Sequence, residues 1–173
     1  MIVKLVGAVL VLTSATAIGS LLALQVKEQE EWLKDIKMSL FLLAGELNYH
    51  QMPLPEAMRR AGVRHGGRMK GFYNRVGTEL EKKEGDSFFT IWRRQVQENL
   101  KNVPLRKEQK DAFLEIGMYF TEADANVREN AIEFYLNRLE EDIVFLRKNG
   151  KEKAYMFRTM GMLGGMFLLI LVM

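Results

Sequence analysis

Both ends of this chain are uncharged hydrocarbon, and nearly everything charged lies between them. From Leu5 to Leu24 there are twenty consecutive residues without a charge, and from Thr159 to Met173 fifteen more. At about 1.5 Å of rise per residue the first run is roughly 30 Å long as a helix, the thickness of a bilayer's hydrocarbon core. The second run reaches twenty residues if it starts at Ala154 and Arg158 extends its guanidinium to the headgroups. The expected layout is a transmembrane helix at 5–24, a helical domain at 25–153 and a second transmembrane helix at 154–173, with the work done at a membrane surface.

Composition narrows this by exclusion. The chain has 25 lysines and arginines, 24 of them once Lys4 is left out, against 22 acidic residues, so the middle is close to balanced. Cysteine is absent, which removes disulfides, thiolate metal sites and a cysteine nucleophile. Two isolated histidines, His50 and His65, do not make a zinc site or a histidine-based triad. Among longer motifs there is no G-K-[ST] phosphate loop, although 62–71 is glycine-rich, and no H-E-x-x-H or G-x-S-x-G. The acidic run Glu140, Glu141 and Asp142 is expected to be a solvated helix face. No cofactor and no catalytic residue is expected, and the chain is not expected to be an enzyme.

The flanks set a topology. Lys27, Lys34 and Lys37 follow the first run, and Arg147, Lys148, Lys151, Lys153 and Arg158 precede the end of the second. Positive charge concentrates on the cytoplasmic side of spans, which puts the middle domain in the cytoplasm. The opening MIVKLVGAVLVLTSATA also has the layout of a cleavable signal peptide, ending Ala15-Thr16-Ala17. Its apolar stretch runs on to Leu24, past that point, which favours a retained anchor. Ala15 with Gly19, and Gly161 with Gly165, stand four apart and would let the spans pack closely.

Between the spans the apolar residues recur at three and four, the helical period. Trp32, Ile36, Leu40, Leu43 and Leu47 form one stripe continuing the first span, and the segment Met52-Pro53-Leu54-Pro55 ends it. A short helix is expected over 55–61 and another over 68–83. Ser87 caps a third helix carrying Phe88 or Phe89, Trp92, Val96 and Leu100. A fourth carries Phe113, Ile116 and Phe120, and a cap at 121–124 opens a long last helix with Val127, Ala131, Phe134 or Tyr135, Leu139, Ile143 and Leu146, Gly150 being a candidate break. The fold class is an all-α bundle of about six helices.

One stretch stands out by charge. From Ala57 to Thr78 there is no acidic residue, while Arg59, Arg60, Arg64, His65, Arg68, Lys70 and Arg75 lie inside it. One reading is a helix pair neutralised in space by Glu79, Glu81, Glu84 and Asp86. The other is a docking face for an acidic partner or for anionic membrane lipid. Nucleic acid is not expected, because no recognition motif accompanies the patch. A homo-oligomer is compatible with the sequence.

Several motifs appear in a fixed order: K-L-V-G-A-V-L from Lys4 to Leu10, L-N-Y-x-x-x-P-L-P-E-A-M from Leu47 to Met58, S-F-x-x-x-W from Ser87 to Trp92, and L-G-G from Leu163 to Gly165. In this arrangement, over essentially the whole length, the chain resembles the stage III sporulation protein AB family. The resemblance implies a component of the channel apparatus between mother cell and forespore. It also implies a cytoplasmic domain similar to the inner-membrane platform protein of type II secretion and type IV pili, with a secretion-type ATPase and other membrane components as partners. The basic residues Arg59, Arg60, Arg64, Arg68, Lys70 and Arg75 would then be the docking face. The alternative is an extracytoplasmic ligand-binding or sensor domain, a layout that expects an output module after the second span.

Overall fold

The computed structural model describes the backbone of residues 2–48, 52–82 and 85–172; the side chains of most of residues 2–23, and of 151–158 and 160–172, lie outside the description. Among the described residues the chain is all-helical. The elements are α1 (Ile2–Asn48), α2 (Leu54–His65), α3 (Lys70–Glu81), α4 (Phe88–Asn99), α5 (Lys107–Ile116) and α6 (Ala125–Val172), with a 3-10 turn at Gly117–Thr121. Two compact units result, Met1–Glu30 with Val144–Met173, and Glu31–Ile143.

In the first unit Arg147 donates to Glu30 at 3.1 Å. Gly150 is not a break: α6 runs through it, and a Cβ there would lie 3.0 Å from Val26 Cγ1, so the glycine admits a close neighbour. No helix among the described residues is long and apolar enough to cross a membrane. The expected spans 5–24 and 154–173, with Ala15, Gly19, Gly161 and Gly165, fall on residues whose side chains lie outside the description.

The second unit holds the bundle core. On α1 the buried stripe is Leu33, Ile36, Leu40, Leu43 and Leu47, a strict alternation of three and four. Trp32, expected to lead the stripe, sits at its edge, half-buried, with the Arg68 guanidinium 5.2 Å from the ring centre. Pro53 is the N-cap of α2 and Pro55 lies in its first turn, where a missing N–H costs nothing. That helix runs four residues past Ala61, because Gly66 takes φ 65° and closes it by donating its N–H to Gly62 O at 3.1 Å. α3 packs on α2 at very short range. A Cβ on Gly77 would lie 2.9 Å from both Pro55 O and Arg59 Cγ, and one on Gly62 3.1 Å from Tyr73 Cβ.

Gly77→Ala should therefore destabilise the domain by about 1–3 kcal/mol, although alanine is the better helix former by about 1 kcal/mol. Denaturant unfolding followed by circular dichroism checks this; a stabilised variant would mean that the two helices have room to separate.

Ser87 Oγ accepts from Thr90 N at 3.2 Å and starts α4, which turns Phe88 inward and leaves Phe89 half-exposed against Arg93. After α5 the chain tightens into the 3-10 turn, so Phe120 enters the core from a turn rather than from the expected continuous helix. Asp124 opens α6 by accepting from Asn126 N at 2.8 Å. On α6 the inward residue is Tyr135, while Phe134 and Val127 face outward. Phe72, Phe88, Phe113 and Phe120 surround Trp92, with ring centres 4.9–6.1 Å apart across the cluster.

Two tyrosines share the core with these rings. Burial pushes the Tyr73 hydroxyl well above the usual tyrosine range, the nearby Ser39 hydroxyl offsetting part of the effect. Burial does the same to Tyr135, with Tyr73 adding to it. Raised folded-state values mean that their contribution is complete below pH ~10 and is lost as pH rises above it, at about 1.4 kcal/mol per pH unit for each group. Unfolding free energies measured at pH 9 and 11 should show this fall, and Tyr135→Phe should reduce its slope. The Tyr135 hydroxyl meets no hydrogen-bond partner among the described residues, so at neutral pH the same variant should be as stable as the parent or more so.

Candidate functional site

The basic stretch spreads over α2, the following turn and α3, and the bundle treats its members differently. On α2, Arg59 Nη2 lies 2.6 Å from Glu56 and 2.9 Å from Glu81, and Arg60 Nε lies 3.2 Å from Glu56. The Arg59 guanidinium, helped by Arg60, holds the Glu56 carboxyl below the usual carboxylate range. Arg64 reaches α1, 2.6 Å from Glu46, whose side chain is only 3% exposed. At the end of α2 and in the following turn, His65 and Arg68 lie 3.4 and 3.7 Å from Asp35. Each arginine of α2 thus meets a carboxylate.

α3 differs. Lys70 is exposed and Arg75 donates to the Asn99 side-chain oxygen of α4, a neutral partner. Neither has a carboxylate at ion-pair distance among the described residues. Of the acids expected to neutralise the stretch, Glu81 alone does so among the described residues. Glu79 and Asp86 are held by Arg94 at 2.8 and 3.1 Å, and Glu84 lies outside the described residues. The physical reason is that Glu79 turns toward α4, while the neutralising carboxylates come from α1 and from the first turn of α2.

Arg75 leads to residues not singled out in the sequence. On either side of Asn99 in sequence lie residues of a surface concavity of about 430 Å³, with Val96, Leu100, Leu105 and Leu114 as floor and Lys101, Lys107, Lys110 and one acid, Asp111, around it. Lys110 Nζ donates to Lys101 O at 3.0 Å, which ties the α4–α5 connection to α5. Basic residues without an ion-pair partner among the described residues thus include Lys70 and Arg75 on α3 and Lys101, Lys107 and Lys110 around the apolar concavity. The concavity's signal in the sequence was the basic density of 101–110, which lies more than twenty residues from the basic stretch. Such a surface suits an acidic protein face carrying an apolar anchor.

The acidic run on α6 is partly structural. Glu140 takes Lys37 at 2.6 Å, and Asp142 accepts from Arg106 at 2.9 Å and Gln109 at 2.8 Å; Glu141 is exposed. Among the described residues no cluster of histidine, aspartate and glutamate is placed to hold a metal ion.

Comparison with known proteins gives one consistent result. The family described as Stage III sporulation protein AB matches residues 4–173. Stage III sporulation protein AB of Bacillus subtilis (strain 168) is 22% identical over 170 residues, spanning 98% of this chain and 99% of that protein. A solved structure titled Stage III sporulation protein AB superimposes with a TM-score of 0.65 at 18% identity, covering 72% of this chain and 97% of that one.

Proposed function

Because the chain belongs to the stage III sporulation protein AB family, we propose that this sporulation protein is a membrane-held platform of the channel apparatus, with spans at 5–24 and 154–173 and a cytoplasmic bundle that docks a secretion-type ATPase. The observation that carries the docking is the set Lys70, Arg75, Lys101, Lys107 and Lys110, none in an ion pair among the described residues, the three lysines of 101–110 standing around an apolar concavity with Asp111 as its one acid. Positive charge without an ion-pair partner steers an acidic protein face to the site, and the apolar floor supplies slow dissociation. The protein itself performs no chemistry; ATP hydrolysis belongs to the partner. Anchors at both ends keep a docked motor beside the bilayer.

Lys70→Glu/Arg75→Glu/Lys101→Glu should reduce ATPase capture by the full chain in membranes at least tenfold while the helical circular-dichroism signal stays. Glu141→Lys, equally exposed and elsewhere, should leave capture unchanged. Equal capture by the triple variant and the parent would remove this face from the proposal. Protease access in intact protoplasts tests the sidedness: digestion of the bundle from outside would overturn the cytoplasmic placement.

A further inference from the structure

A second surface of the bundle is unaccounted for. A groove of about 430 Å³ runs between α1 and α6, with Phe41 and Gly45 on one side, Ile132 and Leu136 on the other, and Glu129 and Glu133 on its wall. Three of its features leave it open to another molecule, although Arg64 of the same chain also lines it. Phe41 points outward, 62% exposed. Gly45 lies in the last turn of α1, and a Cβ there would meet nothing within 4 Å, so the backbone is open to the groove. Glu129 and Glu133 have no cationic side chain at ion-pair distance among the described residues. Together they ask for a visitor that is apolar, comes close to the α1 backbone and brings positive charge.

Such a feature lies next door. On α2, Val63 is 63% exposed, and it shares an open concavity with Arg60 and Arg64. Arg64 lines this concavity and also the groove, so the two adjoin. An exposed apolar residue flanked by arginines beside a groove flanked by carboxylates can meet its own copy under a two-fold rotation. We propose that the visitor is a second copy of this chain. Val63 of one copy enters the groove of the other over Gly45, its Arg60 and Arg64 face Glu129 and Glu133 there, and the second copy reciprocates. Arg60 and Arg64 each hold one carboxylate already, but a guanidinium has five donors, so both keep donors for a carboxylate across the interface. The dimer leaves Lys70, Arg75 and Lys101 uncovered, so it stands or falls independently of ATPase docking.

The chain has no cysteine, so introduced ones report without background. Two differently tagged full-length chains, one Gly45→Cys and one Val63→Cys, are co-expressed in membranes and treated with a short bismaleimide. The expected product is a species carrying both tags at twice the chain mass. Replacing Val63→Cys by Lys107→Cys should remove it. Adding Glu133→Arg to the Gly45→Cys chain should lower the product at least fivefold, and adding Arg60→Glu to its Val63→Cys mate should restore it, which a folding defect could not do. Absence of the two-tag product from chains that keep their helical signal overturns the proposal. So does a product indifferent to Glu133→Arg, or one in which Gly45→Cys joins only other proteins.

Discussion

Trp92→Ala is expected to lower the unfolding free energy by about 3–5 kcal/mol, the range for emptying a large aromatic site in a packed core. Trp92 is fully buried, and the rings of Phe72 and Phe113 each lie 4.9 Å away, that of Phe120 5.3 Å and that of Phe88 5.8 Å. Those four rings come from α3, α4, α5 and the 3-10 turn, so one side chain ties four segments together. Its indole N–H also donates to Phe113 O at 3.2 Å, and truncation leaves that carbonyl without this donor. Whole domains are stable by only about 5–15 kcal/mol, so the variant should populate unfolded chain measurably. Guanidinium unfolding monitored at 222 nm checks this. A loss under 1 kcal/mol would show that α3, α4 and α5 hold together by other means.

Gly117→Ala should be costly at the same place, by about 1–3 kcal/mol or more. A Cβ on Gly117 would lie 2.8 Å from Trp92 Cγ and nearer still to Cδ1 and Nε1. The indole is held on its other sides by the ring cluster and cannot move aside. If this contact is the cause, Gly117→Ala should cost little once Trp92 is alanine. The double-mutant cycle should then give a coupling of more than 1 kcal/mol, within the range for residues in contact. Additive effects would place the cost of the Gly117 change in the 3-10 backbone instead.

These two positions show where sequence reasoning reaches and where it stops. Trp92 is visible in the period of α4, at a buried register with Phe88 and Val96. Nothing in the sequence marks Gly117 as the floor under it, because that contact joins α4 to a turn twenty-five residues later. Period alone separates faces to within a residue: it left Phe88 and Phe89 open, and Phe134 and Tyr135, and it set Trp32 where Leu33 is buried. Neighbours on other helices settle each case. The P-L-P-E-A segment was legible as a motif before its purpose was. It caps α2 with Pro53, gives the Arg59 and Arg60 guanidiniums their carboxylate in Glu56, and brings Pro55 O against Gly77 of α3.

The charge pattern was half legible for the same reason. A run of arginines can be counted, but its neutralisation depends on Glu46 and Asp35 of α1, residues that the run does not contain. Three-dimensional pairing leaves the uncompensated charge not on α2 but at Lys70 and Arg75, with the lysines of 101–110 as a further basic group.

The glycine contacts between α2 and α3 have a mechanical meaning. Where Gly62 and Gly77 let two backbones touch, little side-chain padding is left to compress, and such a joint has low compliance. A load applied to Lys70 or Arg75 would reach α2 with hardly any give and pass through the Arg64–Glu46 pair into the buried stripe of α1. A larger residue that props the helices apart would soften the joint and absorb part of any such load as local strain, even in a variant that still folds.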